Sequence, residues 1–244
     1  MSALKDKLAV VIGGGTGIGW GSAEELAKAG CRVVIAGRRV DVLTNAVKSW
    51  TGPPLLSHHA VDVAEYKSVA KLFEDVHHDV GPIDIVVNAA GTNVPDRQVA
   101  DTSPDDWRHV LTINATGAYH VLHAALPEMR RRGSGTIIQI GSTAGVRVGK
   151  LGGVAYSAAK FAMSALGTGA ANEVAADGVR VTTIQPGEVN TPLLDKRANP
   201  PGADHRAKIL QPEDVGRLVV FIAALPPRAH VPEVIIKPLS QEFV

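Results

Sequence analysis

Tyr156 and Lys160 stand four residues apart in V-A-Y-S-A-A-K-F-A-M-S-A, residues 154–165. On an α-helix that spacing puts both side chains on one face, about 6 Å apart at Cβ. An ammonium beside a phenol favours the phenolate, so this pairing predicts a Tyr156 pKa below its ordinary value of roughly 10 and a group able to give and take a proton near neutral pH. Such a pair also arises by chance on solvated helices, so its meaning depends on what the chain places beside it. Ser142 closes a predicted strand, 136–140, where a substrate of an α/β protein lies, although serine also serves as a turn or helix cap. It has no G-x-S-x-G elbow and no partner histidine, which argues against nucleophilic catalysis. Asn114 falls among apolar neighbours in L-T-I-N-A-T-G-A-Y, a poor place for asparagine in a helix. It is either a satisfied core amide or a group held near the site. The nine histidines, His58-His59 and His77-His78 among them, lack cysteine-supported ligand spacing, so no metal site is expected.

Phosphate chemistry is written near the start. The apolar run L-A-V-V-I, residues 8–12, reads as a strand covered on both faces. It runs into G-G-G-T-G-I-G, residues 13–19, and then into a helical pattern. A glycine turn between strand and helix brings backbone N–H groups and the positive helix end against a phosphate. The strict G-x-G-x-x-G spacing is absent; Gly13, Gly17 and Gly19 give G-x-x-x-G-x-G, with Gly15, Thr16 and Ile18 between them. A second strand, 32–36, ends at Gly37-Arg38-Arg39 with no acid in residues 36–39. An acid there would suit a ribose 2′-hydroxyl, whereas arginine suits a 2′-phosphate, so Arg38 first and Arg39 second predict NADP(H) over NAD(H).

These groups need a scaffold, and the chain supplies alternating elements: helix 40–50, strand 55–61, helix 65–80, strand 83–87, a helix capped by Ser103, strand 136–140, a helix from 154 to about 176, strand 179–184, helix 215–225 and strand 234–236. The alternation predicts an α/β fold, a doubly wound parallel sheet of about seven strands with helices on both faces, in a single domain spanning 1–244. Asp62-Val63 and Asn88-Ala89-Ala90-Gly91 then fall at strand carboxyl ends, along an adenine and ribose channel. Asp62 also suits the N-cap of the next helix.

With 25 basic and 24 acidic residues the net charge is +1, which gives no field to attract nucleic acid or anionic membrane. A single Cys31 and a charged start, M-S-A-L-K-D-K, fit a reducing, cytoplasmic setting without a membrane span. Small residues on the Tyr156 helix (Ala158, Ala159, Ala162, Ala165, Gly167, Gly169, Ala170 and Ala171) suggest close approach of a helix from a second subunit. Residues 188–211, rich in Pro, Asn, Asp and Arg, read as a mobile substrate-binding lid, with Lys196, Arg197, Arg206 and Lys208 available to steer an anion or simply to face solvent.

Taken in order, I-G-G-G-T-G-I-G, Asp62-Val63, N-A-A-G at 88–91, Asn114, Ser142, Y-S-A-A-K at 156–160 and Q-P-G-E-V-N-T at 185–191 resemble the short-chain dehydrogenase/reductase family across nearly the whole chain. The resemblance implies that Tyr156 is the general acid or base, that Lys160 bonds the nicotinamide ribose and lowers the phenol pKa, and that Ser142 orients the substrate oxygen. It also implies that Asn114 anchors a water linking Lys160 to solvent and that Pro186, Gly187, Val189 and Thr191 border the cofactor, with Thr191 at the carboxamide. Departures from the family pattern are Ile12 for threonine, Ala89 for asparagine, Gln185 for asparagine, and one extra residue between Ser142 and Tyr156 near Gly149-Lys150. The C-terminal V-I-I-K-P-L-S-Q is similar to the branch of NADP-dependent reductases and hydroxy-acid dehydrogenases. The expected activity is that of an alcohol dehydrogenase or carbonyl reductase, interconverting a small secondary alcohol, a 3-hydroxy acid among the candidates, with its ketone. The expected assembly is a homo-oligomer, a tetramer favoured over a dimer. Alternatives are an NAD-dependent polyol or sugar dehydrogenase, and a non-catalytic NADP(H)-binding redox sensor.

Overall fold

A computed structural model describes residues 3–54 and 56–242. Seven strands, β1 (Leu8–Ile12), β2 (Arg32–Gly37), β3 (Ser57–Ala60), β4 (Ile85–Asn88), β5 (Gly135–Ile140), β6 (Val179–Pro186) and β7 (Glu233–Ile236), form one parallel sheet in the order β3-β2-β1-β4-β5-β6-β7. The order reverses between β1 and β4, which opens a crevice at the carboxyl ends of the central strands. Register keeps those ends level: Ile12 pairs with both Ala36 and Asn88, Asn88 with Gln139, and Ile140 with Ile184.

Alternation along each strand builds a core on either face. Leu8, Val10 and Ile12 pack with helices α3 (Tyr66–Asp79), α5 (Gly117–Arg132) and α6 (Val154–Val174). Ala9 and Val11 face the other way, onto α1 (Gly17–Lys28), α2 (Val40–Ser49) and α8 (Pro212–Ala223). All five β1 residues are fully buried, as a central strand with both faces covered requires. Cys31 is likewise buried, and burial pushes its thiol up to about 12, so it behaves as a small core residue.

Several boundaries differ from the sequence expectation. β3 is shorter than 55–61: Leu56 and Val61 are buried but lie outside the strand, and Leu55 lies outside the described residues. The last helix starts at Pro212, earlier than expected, because proline suits the first turn and the Asp214 carboxylate accepts from Gln211 N at 2.8 Å. Ser103 caps α4 (Pro104–Leu111) as predicted, accepting from Asp106 N at 3.0 Å. The helix beyond it does not run on regularly. A π turn, Thr112–Thr116, separates α4 from α5 and carries Asn114.

Candidate active site

The glycine turn is built by backbone crowding. Gly13 has φ +77° and Gly17 φ +54°, a left-handed region in which glycine is at ease. A Cβ on Gly13 would lie 2.7 Å from the Ala89 carbonyl carbon, and one on Gly19 would lie 2.1 Å from the Gly13 carbonyl oxygen. Ala36 O holds the turn by accepting from Gly13 N at 2.7 Å and Gly14 N at 3.2 Å. Gly15 rests on Val42 and Leu43 of α2, and the partly buried Ile18 packs against the core. Thr16 occupies the N-cap position of α1 without a side-chain cap bond, and no acid occupies the first turn. The N-terminal end of α1 thus keeps its donors and its positive dipole for an anion, which fits the diphosphate of a dinucleotide. Arg38 and Arg39 are exposed at the carboxyl end of β2, and neither forms an ion pair among the described residues.

The neighbouring predicted cofactor residues also build the frame of the crevice. Asp62 is not the cap of α3; Glu65 holds that position, and the Asp62 carboxylate instead accepts from Ala64 N at 3.0 Å in the turn before it. Val63 turns into the core against Gly117, and its carbonyl is bonded by His120 Nδ1 at 2.8 Å. Asn88 donates through Nδ2 to Gln139 Oε1 at 2.8 Å, which ties β4 to β5. Ala89 donates its N–H to Ile12 O at 2.8 Å, which brings the 89–91 backbone against the glycine turn. Gly91 leaves room for two functional groups: a Cβ there would meet Asn114 Oδ1 at 2.9 Å and Lys160 Nζ at 3.8 Å.

Around Tyr156 the structure gathers Ser142, Lys160 and Asn114. Ser142 Oγ accepts from Ala144 N at 3.1 Å as a turn cap, and its hydroxyl is near enough to Tyr156 to pull the phenol pKa down. Lys160 is 3% exposed; its Nζ donates to Ile140 O at 2.7 Å and lies 5.6 Å from the Tyr156 ring centroid. Asn114, fully buried, donates to Thr92 O and Val110 O, each at 2.9 Å, and accepts from Thr92 N at 3.0 Å. The π turn aims this amide across to the 91–92 segment, a use of π geometry seen at functional sites.

The electrostatics correct the sequence reading. Burial pushes the Tyr156 pKa above its usual 10, outweighing the Ser142 hydrogen bond and the Arg97 charge that both pull it down. Lys160 does not offset that burial, because its own ammonium is desolvated and its pKa falls to about 7. The phenol is therefore protonated at neutral pH, while the amine titrates there.

Gln185, noticed in the sequence only as a departure, proves central. It is fully buried, accepts from Ser142 N at 2.7 Å, and donates to Ser164 Oγ at 2.7 Å and Glu233 Oε1 at 2.8 Å. This long amide fixes the backbone of Ser142 from the adjacent strand. The small residues of α6 are also partly spoken for: Ala159, Gly167, Ala170 and Ala171 are buried within the chain, and a Cβ on Gly167 would meet Thr183 Oγ1 at 2.2 Å. Close approach to β6 accounts for Gly167, and Ala159 packs with Val94, Val110 and Ala115.

Beyond Pro186 and Gly187 the chain crosses back over the glycine turn. Thr191 lies on Gly17, whose Cβ would meet its methyl at 3.1 Å, and Val189 is buried in a bridge to Leu210. The expected mobile lid is a folded segment with a short 3-10 helix, Pro192–Lys196, and α7 (Ala203–Arg206). Arg197 and His205 both pair with Glu188, and Arg206 pairs with Asp195. Burial raises the Glu188 pKa, but the two hydrogen bonds overcome it and hold the carboxylate below its usual range. Arg197 and Arg206 are thus matched within the segment and are not free to steer an anion, while Lys196 Nζ donates to Thr92 Oγ1 at 3.1 Å. A separate groove between α3 and α5, lined by Ile83, Met129 and Arg131, lies at the opposite, amino end of the strands.

A parallel sheet that reverses its strand order beside a glycine-rich turn, with Ser142, Tyr156 and Lys160 along its carboxyl edge, defines a Rossmann-type α/β protein. The profile described as short chain dehydrogenase matches residues 7–201. The chain belongs to that family and is an oxidoreductase. It is 34% identical over 239 residues to an uncharacterized oxidoreductase of Staphylococcus aureus, covering 98% of this chain and 100% of the relative. Among solved structures it is similar to an alcohol dehydrogenase from the archaeon Thermococcus sibiricus complexed with 5-hydroxy-NADP, with a TM-score of 0.86 at 26% identity, covering 98% of this chain and 99% of that one. The closed form of a serine dehydrogenase complexed with NADP+ gives a TM-score of 0.86 at 28% identity, covering 96% of each chain. No helix among the described residues is long and apolar enough to cross a membrane.

Proposed function

We propose that this chain is a single-domain, NADP(H)-dependent enzyme that interconverts a small secondary alcohol and its ketone, with Tyr156 as general acid and base. The observation that carries this reading is the buried Lys160, its Nζ 5.6 Å from the Tyr156 ring centroid and bonded to Ile140 O beside Ser142, at the strand ends that also bear the glycine turn. NADP(H), when bound, supplies or accepts the hydride. The backbone N–H groups of residues 13–19 and the start of α1 would hold its diphosphate, and Arg38, assisted by Arg39, its 2′-phosphate. Lys160 would bond the ribose, and Thr191 the carboxamide.

In the reducing direction the Tyr156 hydroxyl gives its proton to the substrate oxygen, and in the oxidising direction it takes one back. A phenol held protonated by burial is ready for the first of these. Ser142, fixed by Gln185, hydrogen-bonds the same oxygen and sets its position. A protonated Lys160 stabilises the negative charge left on Tyr156 and returns a proton to it, and its pKa of about 7 lets the amine then take up another from solvent near neutrality. The Asn114 amide holds the 91–92 backbone against Lys160 and would anchor the water that links this lysine to solvent. The folded 188–211 segment closes the substrate side. A cytoplasmic homo-oligomer remains the proposed setting, with the exposed Phe161 on the outer face of α6.

Following NADPH absorbance across a panel of small ketones tests the reading, which expects turnover and a preference for NADPH over NADH. Arg38→Asp replaces a charge-assisted contact by repulsion. It should lower that preference by roughly 10- to 100-fold, measured as the ratio of kcat/KM for the two cofactors. An unchanged ratio would remove Arg38 from cofactor selection.

A further inference from the structure

We propose that Glu233, on the edge strand β7, is a positioning residue for catalysis: acting through the Gln185 amide, it fixes the backbone that carries the Ser142 hydroxyl. The inference rests on the reading of Ser142 as the group that orients the substrate oxygen. Pairing of β5 with β6 ends at Ile140 and Ile184, and a further main-chain bond runs from Gly141 N to Ile184 O at 2.7 Å. Ser142 N lies past the paired residues and takes its acceptor from a side chain instead, Gln185 Oε1 at 2.7 Å. Glycine at 141 makes room for that amide, since a Cβ there would sit 2.2 Å from the same oxygen.

The orientation of the amide decides what Ser142 meets. Its oxygen must face Ser142 N, because the NH2 end would set donor against donor. The NH2 end donates to Ser164 Oγ at 2.7 Å and to Glu233 Oε1 at 2.8 Å. A hydroxyl both accepts and donates: Ser164 Oγ also reaches Lys160 O at 3.1 Å and Gly145 O at 3.2 Å, and it would accommodate a turned amide by giving up one of those bonds. An ionised carboxylate only accepts, so Glu233 admits one orientation alone. Register puts it within reach, since Glu233 pairs with Thr183 and residues 183 and 185 share one face of β6. Gln185 is fully buried, whereas Glu233 is exposed. A surface charge thus sets a buried amide, and the amide holds the serine. Loosening that hold moves the hydroxyl from the place where it serves the transition state.

Glu233→Lys tests this with little risk to folding, because the side chain stands at the surface. The introduced ammonium requires the Gln185 oxygen, which turns the NH2 group onto Ser142 N. In ketone reduction followed through NADPH absorbance, kcat should fall about tenfold, with KM and NADPH affinity within about threefold of wild type. Glu233→Gln, which keeps an acceptor, should restore most of that rate. Adding Gln185→Glu to Glu233→Lys provides a carboxylate that accepts from both the ammonium and Ser142 N, and it should also recover the rate. In a Ser142→Ala background, Glu233→Lys should change kcat by less than about twofold, since the group it positions is gone. Hydrogen exchange at the Ser142 amide gives a readout without turnover: it should quicken in Glu233→Lys and return towards the wild-type rate in Glu233→Gln. Wild-type kcat and amide exchange in Glu233→Lys, no recovery in the double variant, or an equal loss with and without the Ser142 hydroxyl would overturn the proposal. If the amide loosens in Glu233→Lys while kcat is unchanged, Ser142 does not place the substrate oxygen; the reading of the site then fails, and the proposal with it.

Discussion

Tyr156→Phe should reduce kcat for ketone reduction by roughly 10³-fold, or about 4 kcal/mol of barrier, while NADPH affinity changes by less than about threefold. The substitution removes one oxygen and leaves the ring in place, so the packing of α6 against the Ser142 turn survives. What disappears is the hydroxyl that gives its proton to the substrate oxygen. Lys160 keeps its bond to Ile140 O, because that contact does not involve the phenol. Steady-state rates and an NADPH fluorescence titration on the same preparation separate the two effects. Turnover within tenfold of wild type would take Tyr156 out of the proton transfer.

Gly19→Ala should be the most damaging single methyl in the glycine turn. Its Cβ would sit 2.1 Å from Gly13 O and 2.7 Å from the Gly13 carbonyl carbon, and neither is the end of a side chain that can swing away. The turn must open, and it is held on its other side by Ala36 O, with Gly13 already pressed on the 89–90 backbone. A destabilisation on the order of 3 kcal/mol, or a fall of roughly 6–12 °C in Tm for a chain of this length, is expected. NADPH binding should be lost even below the melting transition, since the displaced amides are those proposed to hold the diphosphate. Gly169→Ala is the matched control: nothing lies within 4 Å of the added methyl, and Tm should hold or rise. A Gly19→Ala protein that melts and binds NADPH as wild type does would mean that the turn is not the phosphate cradle.

The parts of this molecule that the sequence reveals are those governed by local pattern. The L-A-V-V-I run before G-G-G-T-G-I-G declares a doubly covered strand feeding a phosphate turn, and the structure places Leu8–Ile12 at the centre of the sheet. Ser142, Tyr156, Lys160 and Asn114 converge because three short-range signals, a strand end, a helix face and an out-of-place asparagine, each mark a position next to the crevice. What stayed hidden depends on partners distant in the chain. Gln185 reaches Ser142 across 43 residues, a contact that exists only through the pairing of β5 with β6. Composition made residues 188–211 look loose, yet the charges that fold the segment, Glu188 with Arg197 and His205, are set apart among prolines and polar residues. The expected fall in the Tyr156 pKa counted the lysine's charge but not the burial of both groups, and burial is the larger effect.

The central claim is that one crevice holds NADP(H) on the glycine turn and presents it to Tyr156. A crystal structure of the protein with NADP+ and a bound ketone or alcohol tests this directly. The account predicts the diphosphate against the backbone amides of residues 13–19, the 2′-phosphate at Arg38, and the substrate oxygen within hydrogen-bond distance of both Tyr156 and Ser142. A dinucleotide bound elsewhere, or a substrate oxygen out of reach of the Tyr156 hydroxyl, would contradict it.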